Sequence, residues 1–190
     1  MRIVRTILFI LIVIGLIWLV VLLFTRAFSG PNASAPTPLV DYAKTDTVVT
    51  MYIDGPVVAN QEYRGLRITV GREEVKAELM NGYQHDVVSQ QTFESNSTAY
   101  AAFLKSLQRA GFNEPISTSI TADERGVCPQ HNRFIYTLEN GQDEKKRTWT
   151  SRCGGNYQGQ QSLTRELFLR QVPRAPLNTM VRGSGLSLSQ

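Results

Sequence analysis

Tyr63 to Leu79 reads YRGLRITVGREEVKAEL, and its alternation decides the fold. Leu66, Ile68 and Val70 alternate with Arg67 and Thr69. After a turn at Gly71-Arg72, Val75, Ala77 and Leu79 alternate with Glu74, Lys76 and Glu78. Apolar residues at every second position mark half-buried strands, and two such runs across a short turn make an antiparallel hairpin with one wet face. The apolar face of such a sheet needs a cover, so the flanking segments are read for what supplies it.

Upstream, Thr47 to Ile53 (TVVTMYI) is β-branched and aromatic and predicts a strand, ended by the turn Asp54-Gly55-Pro56. Downstream, Gln84 to Phe93 predicts another. The cover comes next. Tyr100, Phe103, Leu104 and Leu107 share one face of a helix capped by Asn96 or Ser97, with Lys105, Gln108 and Arg109 on the other side. Gly111 stops it as a left-handed cap, onto which Phe112 folds back. Asn113 to Asn132 has no periodicity and reads as a long loop. Phe134, Tyr136 and Leu138 alternate again, and Asn140-Gly141 signals a hairpin turn. The return strand, Lys145 to Cys153, is polar apart from Trp149, with Lys145, Lys146 and Arg147 as charges that protect a sheet edge. Ser162 is expected to cap a second, short helix with Leu163, Leu167, Phe168 and Val172 toward the core.

The N-terminus is of another kind. Between Arg5 and Arg26 lie twenty uncharged residues, and Ile7 to Phe24 reads ILFILIVIGLIWLVVLLF. As a helix this run is about 30 Å long, the thickness of a bilayer core. Arg2 and Arg5 precede it and only Arg26 follows closely, which places the N-terminus in the cytoplasm and the rest outside. A cleaved signal peptide is the rival, but its apolar region is usually shorter, about 7–15 residues. The uncleaved anchor is preferred. The fold class is therefore α+β, an N-terminal transmembrane helix followed by an antiparallel sheet covered by one or two helices. The expected organisation is a cytoplasmic tip and anchor at 1–28, an extended linker at 29–40, an extracytoplasmic domain at 41–173 and a disordered Gly/Ser-rich tail at 174–190.

Cys128 and Cys153 both fall on the external side, where an even count reads as one disulfide. If Asn140 and Gly141 are the two turn residues, the cysteines stand opposite each other at a non-hydrogen-bonded position, where Cα atoms are about 4.5 Å apart. A metal reading exists in Cys128-Pro129-Gln130-His131 with Cys153, and His85 is the other histidine. A closed zinc site needs four good ligands and would compete with oxidation, so no metal is expected.

Of 20 basic residues, Arg2, Arg5 and Arg26 flank the anchor, and the 16 acids begin only at Asp41. The external part is thus close to neutral and carries no nucleic-acid signature. No Gly-x-Ser-x-Gly elbow, His-Glu-x-x-His or phosphate-binding loop is present. Glu73 and Glu74 are adjacent in a strand reading and point to opposite faces. No catalytic residue and no cofactor are expected.

DGPVVANQEYRGLRITVGR (54–72), GYQHDV (82–87), TAYAAFLKSLQRAGF (98–112) and the pair Cys153-Gly154 resemble single-pass envelope proteins of Saccharibacteria-type bacteria. The resemblance covers most of residues 40–155. It implies localisation and no particular activity. The expected function is a membrane-anchored extracytoplasmic binding or assembly module of the cell envelope, not an enzyme, held in the membrane by residues 7–24 and working with an envelope protein partner. The rival is an inhibitor or regulator of an extracytoplasmic protease.

Overall fold

Alternating strands and one amphipathic helix account for most of the architecture. The computed structural model describes residues 5, 11, 13–20, 37–117, 123–186 and 188. The chain divides into two compact units, Met1–Pro36 and Thr37–Gln190.

In the second unit a 3-10 turn at Leu39–Lys44 leads into β1 (Thr47–Asp54), β2 (Arg64–Val70), β3 (Glu74–Asn81) and β4 (Asp86–Glu94). Helix α1 (Ser97–Arg109) crosses over to β5 (Arg133–Asn140), β6 (Asp143–Ser151) and the two-residue β7 (Gly154–Gly155). Helices α2 (Gln161–Leu169) and α3 (Arg174–Val181) follow. The seven strands form one antiparallel sheet in the order β4-β3-β2-β1-β5-β6-β7. The hairpin read from residues 63–79 is present, with Val70 opposite Val75, Ile68 opposite Ala77 and Leu66 opposite Leu79. Strand β1 joins this hairpin to β5, so the centre of the sheet is long-range pairing, Met51 opposite Ile68 on one side and Tyr136 on the other.

One face of the sheet carries the core. Val49, Met51, Ile53, Leu66, Ile68, Phe134 and Tyr136 are buried together with Tyr100, Phe103, Leu104 and Leu107 of α1. Each fully buried aliphatic or aromatic side chain contributes about 1.5–3 kcal/mol. The ends of α1 follow the sequence. Asn96 accepts a hydrogen bond from the Ala99 N–H at 2.9 Å, and Gly111 takes φ +83°. The Gly111 N–H then bonds the Gln108 carbonyl and the Phe112 N–H that of Leu107, both at 3.0 Å, the two bonds of a Schellman cap. Phe112 is thereby delivered into the core.

Several expectations are corrected. The domain begins at Thr37 rather than 41, because Leu39 is fully buried and its N–H is bonded by the Gln108 side chain at 3.0 Å. The tail expected to be disordered from 174 contains α3, whose Leu177 and Met180 reach the core, as does Leu186. Pro176 is tolerated there because it lies in the first helical turn, where no N–H is needed. Ser162 does not cap α2. The helix starts at Gln161 with Gln160 as its boundary, which makes no side-chain cap, and it buries Thr164 and Phe168 while Leu163 stays exposed. The β5–β6 turn is Gly141-Gln142, flanked by the pair Asn140 and Asp143, and the register shifts by one between Leu138 and Glu139. Gly141 takes φ +63° as the first turn residue, where a type II′ hairpin needs glycine. The cysteines therefore do not form a rung.

The expected anchor at residues 7–24 lies largely outside the described residues. Residues 13–20 are helical, and their large apolar side chains are exposed, Trp18 at 69% and Ile17 at 59%. Among the described residues no helix is long and apolar enough to cross a membrane.

Candidate binding groove

The period of a strand that puts Val49, Met51 and Ile53 under the helices puts Val48, Thr50, Tyr52 and Asp54 on the opposite face. Arg67 and Thr69 of β2 join them there, and Ile135 and Thr137 of β5. These residues floor a groove of about 650 Å³. One wall is Tyr63 with Tyr83 and His85 from the β3–β4 turn, and the other is Glu124 to Gly126.

A chain of polar contacts fixes one end of the floor. Arg133 is the cross-strand partner of Asp54, and its guanidinium reaches the Asp54 carboxylate at 2.7 and 2.8 Å. The two side chains are 5% and 16% exposed. The same guanidinium donates to the carbonyls of Gly55 at 3.3 Å and Val127 at 3.4 Å, tying the β1–β2 loop to the opposite wall. The Tyr63 hydroxyl donates to the second Asp54 oxygen. Its proton is thus committed, so the Tyr52 hydroxyl donates to the Tyr63 oxygen, 2.7 Å away. Burial pushes Tyr52 up to about 12. Burial, with its hydrogen bond to Asp54, pushes Tyr63 far above the usual tyrosine range. Both phenols stay protonated at neutral pH.

Gly65 makes room for this arrangement. A Cβ there would stand 2.3 Å from the Tyr52 hydroxyl oxygen and 2.8 Å from the ring.

Tyr83 is held by four contacts. Its N–H donates to the Asn60 side chain at 2.8 Å. Its hydroxyl donates to the Val58 carbonyl at 2.8 Å and accepts from the Val58 N–H at 3.1 Å. Its ring lies against Tyr63 with centroids 4.4 Å apart. His85 adopts φ +60° and places its imidazole 5.3 Å from the Tyr52 ring. Left-handed backbone is uncommon outside glycine, though His is one of the residues found there more often.

The charged groups along the groove are mostly neutralised within the protein. Arg67 pairs with Glu78 at 3.5 Å, Arg147 with buried Glu124 at 2.5 Å and Arg125 with Asp123 at 2.5 Å.

Cys128 and Cys153, the two residues singled out by sequence, are brought together. Their sulfurs are 2.04 Å apart and their Cα atoms 5.6 Å. They meet beyond the last β5–β6 rung, Arg133 with Ser151, joining the loop before β5 to the turn after β6. The bond stands behind the groove wall. Pro129 accepts a hydrogen bond from Val57 at 2.7 Å, and Val57 lines the groove. With both sulfurs in that bond, neither is a thiolate that could join His131 in holding a metal ion. Among the described residues no cluster of three metal-ligating side chains occurs.

Sequence reasoning did not find Tyr52, Asp54, Tyr63, Tyr83 or Arg133. A signal existed in the second phase of the strands, where Thr50, Tyr52 and Asp54 alternate with the apolar positions of β1 just as Arg133, Ile135 and Thr137 do in β5.

No protein-family model matches this chain, and no curated protein does.

Proposed function

We propose that this chain is a single-pass membrane protein of the cell envelope whose domain, from Thr37 onward, lies outside the cytoplasm and binds a ligand on the open face of its sheet without transforming it. The observation that carries this reading is the groove itself, a polar concavity of about 650 Å³ on a sheet face that no described helix covers. Sheet faces left to solvent are ordinarily flat and charged, whereas this one has two fixed walls and a floor of hydroxyls with one buried ion pair.

Binding without chemistry is supported by the way the polar groups at this end of the groove are already occupied. Tyr52 and Tyr63 keep their protons at neutral pH, and Asp54 accepts from both Arg133 and Tyr63. Neither phenol is a free proton acceptor, and both Asp54 oxygens are already engaged within the protein. The anchor is supported by the uncharged run between Arg5 and Arg26 and by the exposed apolar side chains of helical residues 13–20. Outside placement is supported by the excess of bases before that run and by the disulfide, which suits an oxidising compartment. The resemblance to single-pass envelope proteins agrees with this location.

Hydrogen exchange on the full chain tests the reading, comparing the protein in membranes of its own cells with the purified protein in lipid nanodiscs. Peptides over 57–63, 82–86 and 123–130 should exchange more slowly in the native membranes, with α1 unchanged. Slowing over α1 alone, or no difference anywhere, overturns it.

A further inference from the structure

We infer that the groove takes a neutral oligosaccharide, a chain of sugar rings recognised by a rigid tyrosine face and a hydroxyl floor. The inference rests on the binding role proposed above and specifies its ligand.

The first support is the charge pattern. Arg67, Arg125, Arg133 and Arg147 all line the groove, which would suggest an anionic ligand, yet each is already paired with a carboxylate of the protein. An incoming phosphate or carboxylate would have to compete with those partners. Nucleic acid is disfavoured for the same reason, since its binding draws on unneutralised bases. A cationic ligand meets the mirror problem, because Asp54 and Glu124 are bound to arginines. Glu139 is the one lining carboxylate without an ion pair among the described residues. One acid at one end of a long groove offers an acceptor for hydroxyl groups but not a field that selects cations.

The second support is what remains once the charges are spent. Thr50, Thr69 and Thr137 place three hydroxyls on the floor, each able both to donate and to accept. Among the described residues Thr50 and Thr69 share one contact of 3.3 Å, which leaves most of this capacity unused there. A ligand matched to such a floor carries many neutral groups that also donate and accept. Sugar hydroxyls have this property, and a peptide backbone supplies only one donor and one acceptor per residue.

The third support is Tyr83. One face of its ring rests on Tyr63, its hydroxyl is fixed at both the N–H and carbonyl of Val58, and the residue is still 43% exposed. The electron-rich outer face of a ring attracts the polarised C–H bonds on the flat side of a pyranose. Because the ring is already immobilised, little side-chain entropy is lost when a sugar stacks on it. The floor follows β1 from Val48, opposite Glu139, to Asp54, opposite Arg133, and at about 3.3 Å per strand residue that run of about 20 Å asks for several rings rather than one.

The test uses the full chain in lipid nanodiscs, since glycoside detergents present sugar headgroups of their own. The probes are unbranched tetrasaccharides of glucose, mannose and N-acetylglucosamine, with a tetralysine and a tetraglutamate peptide as charged comparisons, titrated by calorimetry. At least one tetrasaccharide should bind with Kd below about 1 mM, and its affinity should change by less than about twofold between about 0.05 and 0.5 M salt. Tyr83→Ala should weaken it by about tenfold or more. Thr137→Val, which keeps shape and removes only a floor hydroxyl, should weaken it severalfold with an unchanged circular dichroism spectrum.

No binding by any tetrasaccharide overturns the inference. So does preferential, salt-sensitive binding of either peptide, or undiminished sugar binding in both variants. If sugars fail while native membranes still slow exchange at the groove, the binding role stands and only the ligand class falls.

Discussion

Asp54 and Arg133 stand directly opposite each other at the end of β1 and the start of β5, and their side chains meet at 2.7 Å almost out of reach of water. The pair sits where three parts of the groove converge. Arg133 also holds the carbonyls of Gly55 and Val127, and Asp54 holds Tyr63. Removing one partner leaves a buried charge uncompensated, so Arg133→Ala should cost about 3–5 kcal/mol. Replacing both, as Asp54→Leu with Arg133→Leu, should recover much of that loss. Denaturant melts followed by Trp149 fluorescence in a Trp18→Phe background check this, since the chain has 2 tryptophans. A double variant as unstable as Arg133→Ala would show that the pair's other hydrogen bonds, not its charge balance, dominate.

The helix side offers a contrast within one element. Phe103 is buried and meets Phe168 edge-on at 5.2 Å, while Lys105 two residues on is exposed. Phe103→Ala should cost about 3–5 kcal/mol, as large-to-small core changes do. Lys105→Ala should cost under about 0.5 kcal/mol. Thermal and urea melts of the two variants decide it.

High pH should dismantle the groove from its tyrosines. Burial raises Tyr52 to about 12 in the folded protein and Tyr63 further still, against 10 for a free phenol. Above that free value the unfolded chain releases protons that the folded chain retains. Stability is therefore complete below pH ~10 and falls as the pH rises toward and past 12. Tyr52→Phe should remove up to one proton from this linkage, a slope change of at most about 1.4 kcal/mol per pH unit. Tyrosinate absorbance and equilibrium melts across pH 9 to 12 provide the readout, those limits being set roughly by the same linkage. A wild-type stability that is flat over the window contradicts the burial of these phenols.

Gly65 carries a steric requirement that the sheet alone does not impose. Gly65→Ala drives a methyl group into the Tyr52 ring and hydroxyl. The ring has to leave its bond with Tyr63, so the variant should lose about 1–3 kcal/mol, the range for overpacking. Combining it with Tyr52→Ala should abolish that penalty. Equal losses with and without Tyr52 would place the strain elsewhere.

The apolar half of this domain was open to sequence reading and the polar half was not. Leu66, Ile68 and Val70 advertise themselves by period, as do Phe103 and Leu107, because burial demands a hydrophobic side chain at those spacings. Tyr52 and Asp54 occupy the complementary phase of β1, where solvated residues would look the same. Asp54 also reads as the first residue of a turn, and only the long-range pairing of β1 with β5 sets it against Arg133. The cysteines were legible by compartment and parity, but their geometry was not. Gly141 takes the first turn position and the β5–β6 register shifts by one, so the bond joins two turns instead of crossing a ladder. Helix α3 was hidden by its length and its neighbours, since RAPLNTMV is eight residues with Pro176 inside it and runs into Gly183 and Gly185.

The disulfide should act as a staple behind the groove wall. Replacing Cys128 and Cys153 with Ala should lower stability by about 2–4 kcal/mol. It should leave β1 to β4 and α1 folded, since their pairing and packing do not run through the bridge. A non-reducing tryptic map of protein purified from its own cells should show the two peptides joined, and two free thiols there would contradict the proposed outside placement.

The claim that the open sheet face is the working surface is tested most directly by a photoreactive p-benzoylphenylalanine placed at Thr137, on the groove floor, and separately at Lys105, on the solvent side of α1, in the full chain in living cells. Illumination should give a discrete crosslinked species from Thr137 and none from Lys105. Crosslinking from Lys105 with none from Thr137 would contradict it.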